Sequence, residues 1–287
     1  MVIAPVLWST AGVVTRHMEA APAFEQVFWR SLFAALFVGI ALLFAKQRPQ
    51  IGRPALLSGA LWAVMFTTFV IALSLTSTAN TLVVMSISPL LTSLLAWAVL
   101  REAMPLRTWI AACASAVGIC WMALAGDAGV HGARDVAGML VALSVPIASA
   151  VNLVTLRVVA ARGGPRVDLV PAVMLGGLFS VLVALPLALP FSASARDLAL
   201  LAFLGVFQLG LPCMLLVVAS RTLPAAEIAL LGLLEVVLGV LWAWLFAGEN
   251  PAAATLVGGG MVLGALALNE AGAFSTSRTR SLTGRPE

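Results

Sequence analysis

Ten long apolar segments follow one another along the chain, and short polar or charged connections separate them. Most of the segments come close to the roughly 20 residues that a helix needs to cross a bilayer. The ten-residue alternation that is typical of membrane barrels is missing from the pattern. The predicted segments are residues 2–16, 24–45, 55–76, 79–100, 105–125, 136–158, 168–190, 198–220, 225–247 and 251–269. The pattern predicts an all-α polytopic membrane protein with ten transmembrane helices, because helices satisfy their own backbone polar groups in hydrocarbon.

The composition supports this prediction. Of the 287 residues, 62% are hydrophobic and 10% are charged, whereas a soluble domain carries roughly 25% charged residues. The mean hydropathy is +1.08. The net charge of +4 does not indicate a nucleic-acid partner, because basic cytoplasmic loops give the same total in a membrane protein. The cysteines Cys113, Cys120 and Cys213 lie in apolar runs without metal-ligand spacing, so we expect lipid-facing or core residues.

The basic residues favour one orientation. With a cytoplasmic N-terminus, the inside loops and tail hold twelve of them and the outside loops hold three, Arg16, Arg134 and Arg196. The inside residues are Lys46, Arg48, Arg53, Arg101, Arg107, Arg157, Arg162, Arg166, Arg221, Arg278, Arg280 and Arg285. Because cytoplasmic loops are enriched in Lys and Arg, the bias predicts a multi-pass inner (plasma) membrane protein with both termini cytoplasmic. Arg30 is left inside the second segment.

The two halves of the chain show a weak repeat. A shift of 147 residues pairs Trp97 with Trp244 and Glu102 with Glu249, within similar hydropathy patterns. Each half holds five segments, and an odd number makes the second half enter the membrane from the opposite side. We therefore expect two inverted five-helix repeats, residues 1–126 and 136–270, and a disordered basic cytoplasmic tail, residues 271–287. Inverted repeats are typical of secondary transporters, whose sites lie at the repeat interface near the midplane.

The stretches VLWSTAGVVTRHMEAAPAFEQVFWRSLFAAL (6–36) and ISPLLTSLLAWAVLREAMPLRTWIAACASAVGICWM (87–122) resemble the drug/metabolite transporter (DMT) superfamily, in its EamA-type branch. The residues that carry the resemblance are Trp8, Ser9, Pro22, Arg30, Pro89 and Glu102. The resemblance implies ten helices in two inverted repeats and export of small metabolites. Within the branch the chain looks most like YddG-type amino acid exporters. One departure is that LLEVVLG in the ninth segment lacks a proline matching Pro89, so a kink there is less secure.

Chemistry-bearing motifs are absent from the sequence. It holds no acid–base, nucleophile or metal-ligand cluster and no phosphate-binding glycine loop, so we expect no enzyme activity, no cofactor, no metal and no drive by ATP. The pair Gly260 and Gly264 has GxxxG spacing, which is compatible with a dimer face or with packing inside the bundle.

Glu235 is the most informative polar residue, because it lies halfway along the apolar ninth segment. A mid-membrane acid costs roughly 2.5–3.5 kcal/mol on insertion scales, so a function is expected by default. Glu235 could attract the ammonium of a substrate, carry protons in exchange for substrate, or bind a neighbouring donor for structural reasons. Gly239 and Trp242 share its helix face, at i+4 and i+7.

Other mid-depth side chains complete the predicted substrate site, which we expect to combine polar groups with an aromatic box. These are Trp8, Ser9, Phe66, Met85, Ser88, Ser149, Asn152, Gln208 and Trp242, with Trp62 and Phe69 on the stripe of Phe66. For gating or hinge motion we expect Pro89, Pro146 and Pro212, which remove helix hydrogen bonds, together with Gly239 and Arg30.

The sequence thus predicts a secondary transporter that exports aromatic and other neutral amino acids and related small metabolites by alternating access. Its expected partners are the small-molecule substrate, the lipid bilayer and, in one alternative, protons; no nucleic acid is expected, and the protein would be a monomer or weak dimer. Two alternatives stay open, a multidrug or organic-cation exporter of the same superfamily and a non-transporting membrane scaffold or sensor.

Overall fold

The computed structural model describes residues 2–45, 51–100, 106–124, 132–163, 169–221, 225–248, 250–254, 256–265, 267–268 and 272. Regular structure within these ranges is helical. The first seven helices are α1 (Ile3–Trp8), α2 (Ala11–Arg16), α3 (Ala23–Phe44), α4 (Arg53–Leu75), α5 (Thr78–Met85), α6 (Ser88–Leu100) and α7 (Leu106–Leu124). The others are α8 (Ala133–Gly163), α9 (Val170–Ala188), α10 (Ala195–Phe203), α11 (Leu211–Ala219), α12 (Ala225–Ala247) and α13 (Leu256–Ala265).

Six described helical stretches are long and apolar enough to cross a membrane. They are Ala23–Phe44, Arg53–Leu75, Thr78–Val99, Ala133–Val159, Val170–Ala188 and Ala195–Ala219, and the shorter apolar helices Leu234–Ala247 and Leu256–Ala265 accompany them. The prediction of a helical membrane fold is confirmed, while the count of ten spans stays a prediction. The expected tail, residues 271–287, lies outside the described residues apart from Gly272, as do Glu102 and Glu249.

The predicted first and fourth segments are each broken near the middle. Between α1 and α2, the hydroxyls of Ser9 and Thr10 donate to the carbonyls of Val6 and Leu7, both at 2.7 Å. Between α5 and α6, Ser86 Oγ donates to the carbonyl of Val83 at 2.6 Å, and Pro89 follows in the first turn of α6. Side chains that bond to their own turn compete with the helix ladder. Discontinuous helices of this kind form the sites of many transporters.

A wide helical turn interrupts the eighth segment. Residues Leu204–Gly210 form a π-helix between α10 and α11. Pro212 follows at once, and a proline ring clashes with the carbonyl four residues earlier, which here belongs to Gln208. The wider turn relieves that clash, and such π-turns are frequent at functional sites. The turn fixes the direction of the Gln208 side chain.

Small residues let α9 pack closely against α3 and α4. A Cβ on Gly176 would lie 2.4 Å from the Cβ of Trp62, and one on Gly177 would lie 2.8 Å from the carbonyl oxygen of Ser31. Close approach of backbones at small residues is the usual packing mode of membrane helices. The α3–α4–α9 unit forms one wall of the bundle, and α8, α11 and α12 complete the surroundings of the site.

Two buried carboxylates tie the halves of the chain together at one end of the bundle. Glu25 on α3 accepts hydrogen bonds from the backbone N–H groups of Ser192 and Ala193, at 2.8 and 2.9 Å. Asp197 on α10 accepts from the backbone N–H groups of the segment 19–21, at 2.9–3.2 Å. Each half thus supplies the acid that holds a loop of the other. We call this region, formed by residues 17–22, 76–77 and 189–194, the sealed end.

Candidate functional site

A cavity of about 140 Å³ lies in the middle of the bundle. That is roughly ten times the space that one water needs by the same measure. Its walls come from α1, α3, α4, the α5–α6 break, α8, the π-helix, α11 and α12. From the level of that break it reaches Leu216 in the last turn of α11 and Ile228 in the first turn of α12. It therefore extends towards the end of the bundle opposite the sealed end.

Most of the side chains predicted from the sequence meet at this cavity. It is lined by Trp8, Arg30, Phe66, Met85, Ser88, Pro89, Pro146, Ser149, Asn152, Gln208 and Glu235, and also by Trp62 and Phe69. They come from both halves of the chain. Residues that were chosen from the sequence for their position near the middle of the apolar segments therefore meet at one cavity, although they are far apart in the chain.

Four predicted residues do not line the cavity. Trp242 Nε1 donates to Ser9 Oγ at 3.2 Å, so this pair joins α12 to the break after α1. Gly239 packs against α5, where an added Cβ would lie 2.4 Å from Leu82 Cδ1. Pro212 lies behind the wall, at the start of α11. Pro146 does line the cavity, but α8 runs through it without the break we expected.

The stripe of α12 that carries Glu235 changes role along its length. Ile228, Gly232 and Glu235, spaced four and three residues apart, face the cavity. Further along the same stripe, Gly239 and Trp242 are covered by α5 and α1. Glu235, Gly239 and Trp242 lie on one continuous helix, as the spacing assumed, but only Glu235 of the three lines the cavity. The spacing of residues on α12 could not predict that α5 and α1 cover Gly239 and Trp242, because this depends on how the helices pack.

Glu235 has no partner in the described part of the chain. Its side chain is half-buried and lines the cavity. Within the described residues, no donor reaches its carboxylate and no Lys, Arg or His lies within ion-pair distance. An unpaired carboxylate is costly inside a bundle, because desolvation is not offset by hydrogen bonds or an opposite charge. The arrangement leaves the carboxylate available to a ligand or a proton in the cavity.

Among the described residues that line the cavity, Arg30 is the cation. It is 2% exposed. Its Nη1 donates to Gln208 Oε1 at 3.3 Å, and Nη2 donates to the backbone carbonyl of Phe66 at 2.7 Å. The guanidinium carbon also lies 5.7 Å from the centre of the Phe69 ring. Arg30 therefore lies in the wall of the cavity, and the gating role expected from the sequence stays a prediction.

Aromatic and thioether side chains make the rest of the wall apolar. The rings of Trp62 and Phe66 lie 5.4 Å apart, and Trp8, Met65 and Met85 extend this surface. Trp62 Nε1 is buried without a hydrogen-bond partner in the described residues. Asn152, whose Oδ1 accepts from Ser58 Oγ at 2.7 Å, is among the few polar groups on the wall.

Some wall residues were not anticipated. Cys213 is a buried core residue, one of the two interpretations from the sequence, but it also lines the cavity, which was not predicted. It follows the π-helix, which shifts the helix face by a fraction of a turn and so defeats regular 3.6-residue spacing. Gly232 and Met65 could have been found, because they share the stripes of Glu235 and Trp62. Gly260 and Gly264 are exposed, and an added Cβ on either would meet no described residue within 4 Å, so both alternatives for their spacing stay predictions.

Comparison with known proteins gives one family and one fold. No curated protein matches the chain. A solved structure described as "Crystal structure of protein" is 18% identical to this chain and superposes with a TM-score of 0.68. The match covers 94% of this chain and 96% of that structure's chain. At that identity the likeness concerns the fold alone.

One family model matches the chain twice, once in each half. The model of the EamA-like transporter family matches residues 1–124 and again residues 136–270, which together make up most of the sequence. These matches agree with the helical bundle, the apolar spans and the central cavity walled by both halves. The chain belongs to the EamA-like transporter family, and it is a multi-pass membrane transporter of the drug/metabolite transporter superfamily.

Proposed function

We propose that the protein is a secondary transporter that exports aromatic and other neutral amino acids, and related small metabolites, across the inner membrane. The observation that carries this proposal is the carboxylate of Glu235, which has no partner among the described residues and lines an otherwise largely apolar cavity. A carboxylate at that depth attracts an ammonium group, and the aromatic and thioether wall suits a large apolar side chain.

The two ends of the bundle support alternating access. The buried acids Glu25 and Asp197 close one end, while the cavity extends to Leu216 and Ile228 near the other. The charge bias would place the sealed end outside and the cavity on the cytoplasmic side. In this proposal substrate enters from the cytoplasm, and the two inverted five-helix repeats then rock so that the sealed end opens.

The proposal is tested with Glu235→Gln in liposomes. We expect flux of a labelled neutral amino acid to fall at least tenfold, because the amide keeps the shape but loses the charge that binds ammonium. Glu235→Asp is the matched control, since it keeps the charge on a shorter side chain, and it should retain part of the flux. Flux measured with and without a pH gradient separates proton exchange from diffusion of the substrate down its own gradient.

Unchanged flux in Glu235→Gln under all conditions would remove Glu235 from the mechanism. Absence of amino acid flux in the wild-type protein, with flux of organic cations instead, would favour the multidrug alternative. That alternative uses the same carboxylate and aromatic wall. A cysteine at position 235 that no water-soluble thiol reagent reaches from either side would favour a closed scaffold or sensor.

A further inference from the structure

Arg30 carries a buried charge without an anion. Its hydrogen bonds go to neutral acceptors, the amide oxygen of Gln208 and the carbonyl of Phe66. Its Nε is buried without a hydrogen-bond partner in the described residues. A guanidinium stays protonated in proteins, so this charge cannot be relieved by losing a proton.

The acids on the neighbouring elements are not available to Arg30. Glu25, five residues earlier on α3, uses both oxygens to bind Trp29, Ser192 and Ala193. Asp197 uses both of its oxygens for the segment 19–21. Among the described side chains, no carboxylate oxygen lies within ion-pair distance of Arg30, and this includes Glu235. Neutral partners offset part of the desolvation cost of a buried cation, but an anion offsets more.

Arg30 and Glu235 nevertheless belong to one cavity. Both line it, together with Cys213 on α11. The site therefore presents one positive and one negative group, which are separated and not neutralised by each other. Two such groups complement a ligand that carries both charges.

We propose that Arg30 binds the carboxylate and Glu235 the ammonium of a zwitterionic α-amino acid, whose apolar side chain lies against Trp62 and Phe66. This inference rests on the proposed function and sharpens it. An organic cation would leave Arg30 without an anion, and a simple carboxylic acid would leave Glu235 without a cation. Selection thus depends on both ends of the ligand, because an unmatched buried charge costs affinity for either of the simpler ligands.

The structure also indicates how Arg30 is held in position. The π-helix directs Gln208 towards its Nη1. Gly205 lets the same segment approach α3, since an added Cβ would lie 2.6 Å from the backbone oxygen of Arg30. Gln208 is therefore a positioning residue that orients the guanidinium fork, leaving N–H groups for the two oxygens of a carboxylate.

The test compares three probes that share one ring: L-phenylalanine, phenethylamine, which lacks the carboxylate, and 3-phenylpropionate, which lacks the ammonium. Binding to purified full-length protein is measured by competition and by the ligand-induced shift of melting temperature. For the wild-type protein we expect L-phenylalanine to bind about 10- to 100-fold more tightly than either analogue, as for loss of one charged hydrogen-bonded contact.

The two variants should have mirrored effects. Arg30→Gln should weaken L-phenylalanine binding about 10- to 100-fold and leave phenethylamine binding unchanged. Glu235→Gln should weaken both ammonium-bearing probes and spare 3-phenylpropionate. Arg134→Gln is the matched control, because Arg134 also donates to a helix carbonyl, that of Ser74, but is exposed and away from the cavity. It should keep the wild-type selectivity.

A purely structural Arg30 gives a different result: Arg30→Gln would weaken all three probes equally, or leave L-phenylalanine binding unchanged, and either outcome overturns the inference. If Arg30→Gln does not fold, Arg30→Lys should keep the selectivity at reduced affinity, since charge remains but the planar fork is lost. Loss of selectivity in Arg30→Lys, or a Glu235→Gln variant that affects all probes alike, would also contradict it. Wild-type protein that selects the zwitterion but transports no amino acid would refute the proposed function and support the binding site.

Discussion

Two glutamates on apolar helices show how differently this bundle treats a carboxylate. Glu25 on α3 is fully buried and accepts four hydrogen bonds, from Trp29 Nε1, Ser192 N, Ser192 Oγ and Ala193 N. Glu235 on α12 lines the cavity and has no partner in the described residues. The first acid is satisfied by the protein, so its role is structural. The second can be satisfied only by what enters the cavity.

The contrast extends to the cations. At the sealed end, Arg16 is exposed and donates to the carbonyl of Thr76 at 3.0 Å, so water offsets its charge. In the cavity, Arg30 is 2% exposed and has neutral partners, with no carboxylate within ion-pair distance in the described residues. A charge is therefore a candidate for ligand binding where neither water nor the described part of the fold supplies its counterpart.

The largest expected effect comes from Glu25→Gln, which places an amide NH₂ among the donors of Ser192 and Ala193. Leaving buried donors unpaired costs about 1–3 kcal/mol each, so the sealed end should open more often, by about 100-fold in population. The measurement uses a Ser149→Cys reporter in the cavity, with the native cysteines replaced. A water-soluble thiol reagent applied from the side of the sealed end should label it correspondingly faster.

The same reporter with Glu235→Gln serves as the control for Glu25→Gln. Because Glu235 makes no hydrogen bond to the described residues, its removal should leave labelling from the sealed end within about twofold of the parent. Equal labelling rates in the two variants would show that Glu25 does not hold the sealed end closed.

The sequence could predict the cavity better than the sealed end, for a physical reason. Mid-depth position is visible in an apolar run, so Glu235, Asn152 and Gln208 could be chosen from spacing alone. The partners of Glu25 are backbone N–H groups of residues 192–193, and a backbone donor has no signature in residue type. A contact between helix α3 and a loop 167 residues further along the chain also depends on the whole fold.

The breaks within the predicted segments could be predicted from the sequence only in part. The lack of a proline in LLEVVLG led us to doubt a kink there, and α12 indeed runs unbroken from Ala225 to Ala247. The fourth segment breaks after Met85, before Pro89. The break after Trp8 was not predicted, because Ser9 and Thr10 are compatible with a continuous helix until their hydroxyls bond to the preceding turn.

A smaller effect is expected from Ser9→Ala. This substitution tests whether Trp242, on the same side of α12 as Glu235, packs against Ser9 and does not bind substrate. The substitution removes the acceptor of Trp242 Nε1 and leaves that donor unpaired, at a cost of about 1–2 kcal/mol. The melting temperature in detergent should fall by about 2–4 °C, while affinity for substrate stays unchanged. Ser74→Ala is the matched control, because its hydroxyl bonds only to its own helix at the exposed surface. A loss of affinity with no change in melting temperature would instead assign Ser9 to the binding site.

The smallest effect is expected from Arg196→Gln, which removes the ion pair with Glu19 at the sealed end. This pair joins α10 to the segment 19–21, which Asp197 also holds, but its side chains are 60% and 54% exposed. Exposed ion pairs contribute about 0–1 kcal/mol and are screened by salt, so Ser149→Cys labelling should change less than about fivefold and the change should vanish in high salt. Arg196 and Asp197 are neighbours on α10 and both bind the segment 19–21, so the exposed ion pair and the buried acid differ chiefly in burial. An effect as large as that of Glu25→Gln would mean that charge between the loops holds the end closed, and that the backbone hydrogen bonds to the buried acids do not.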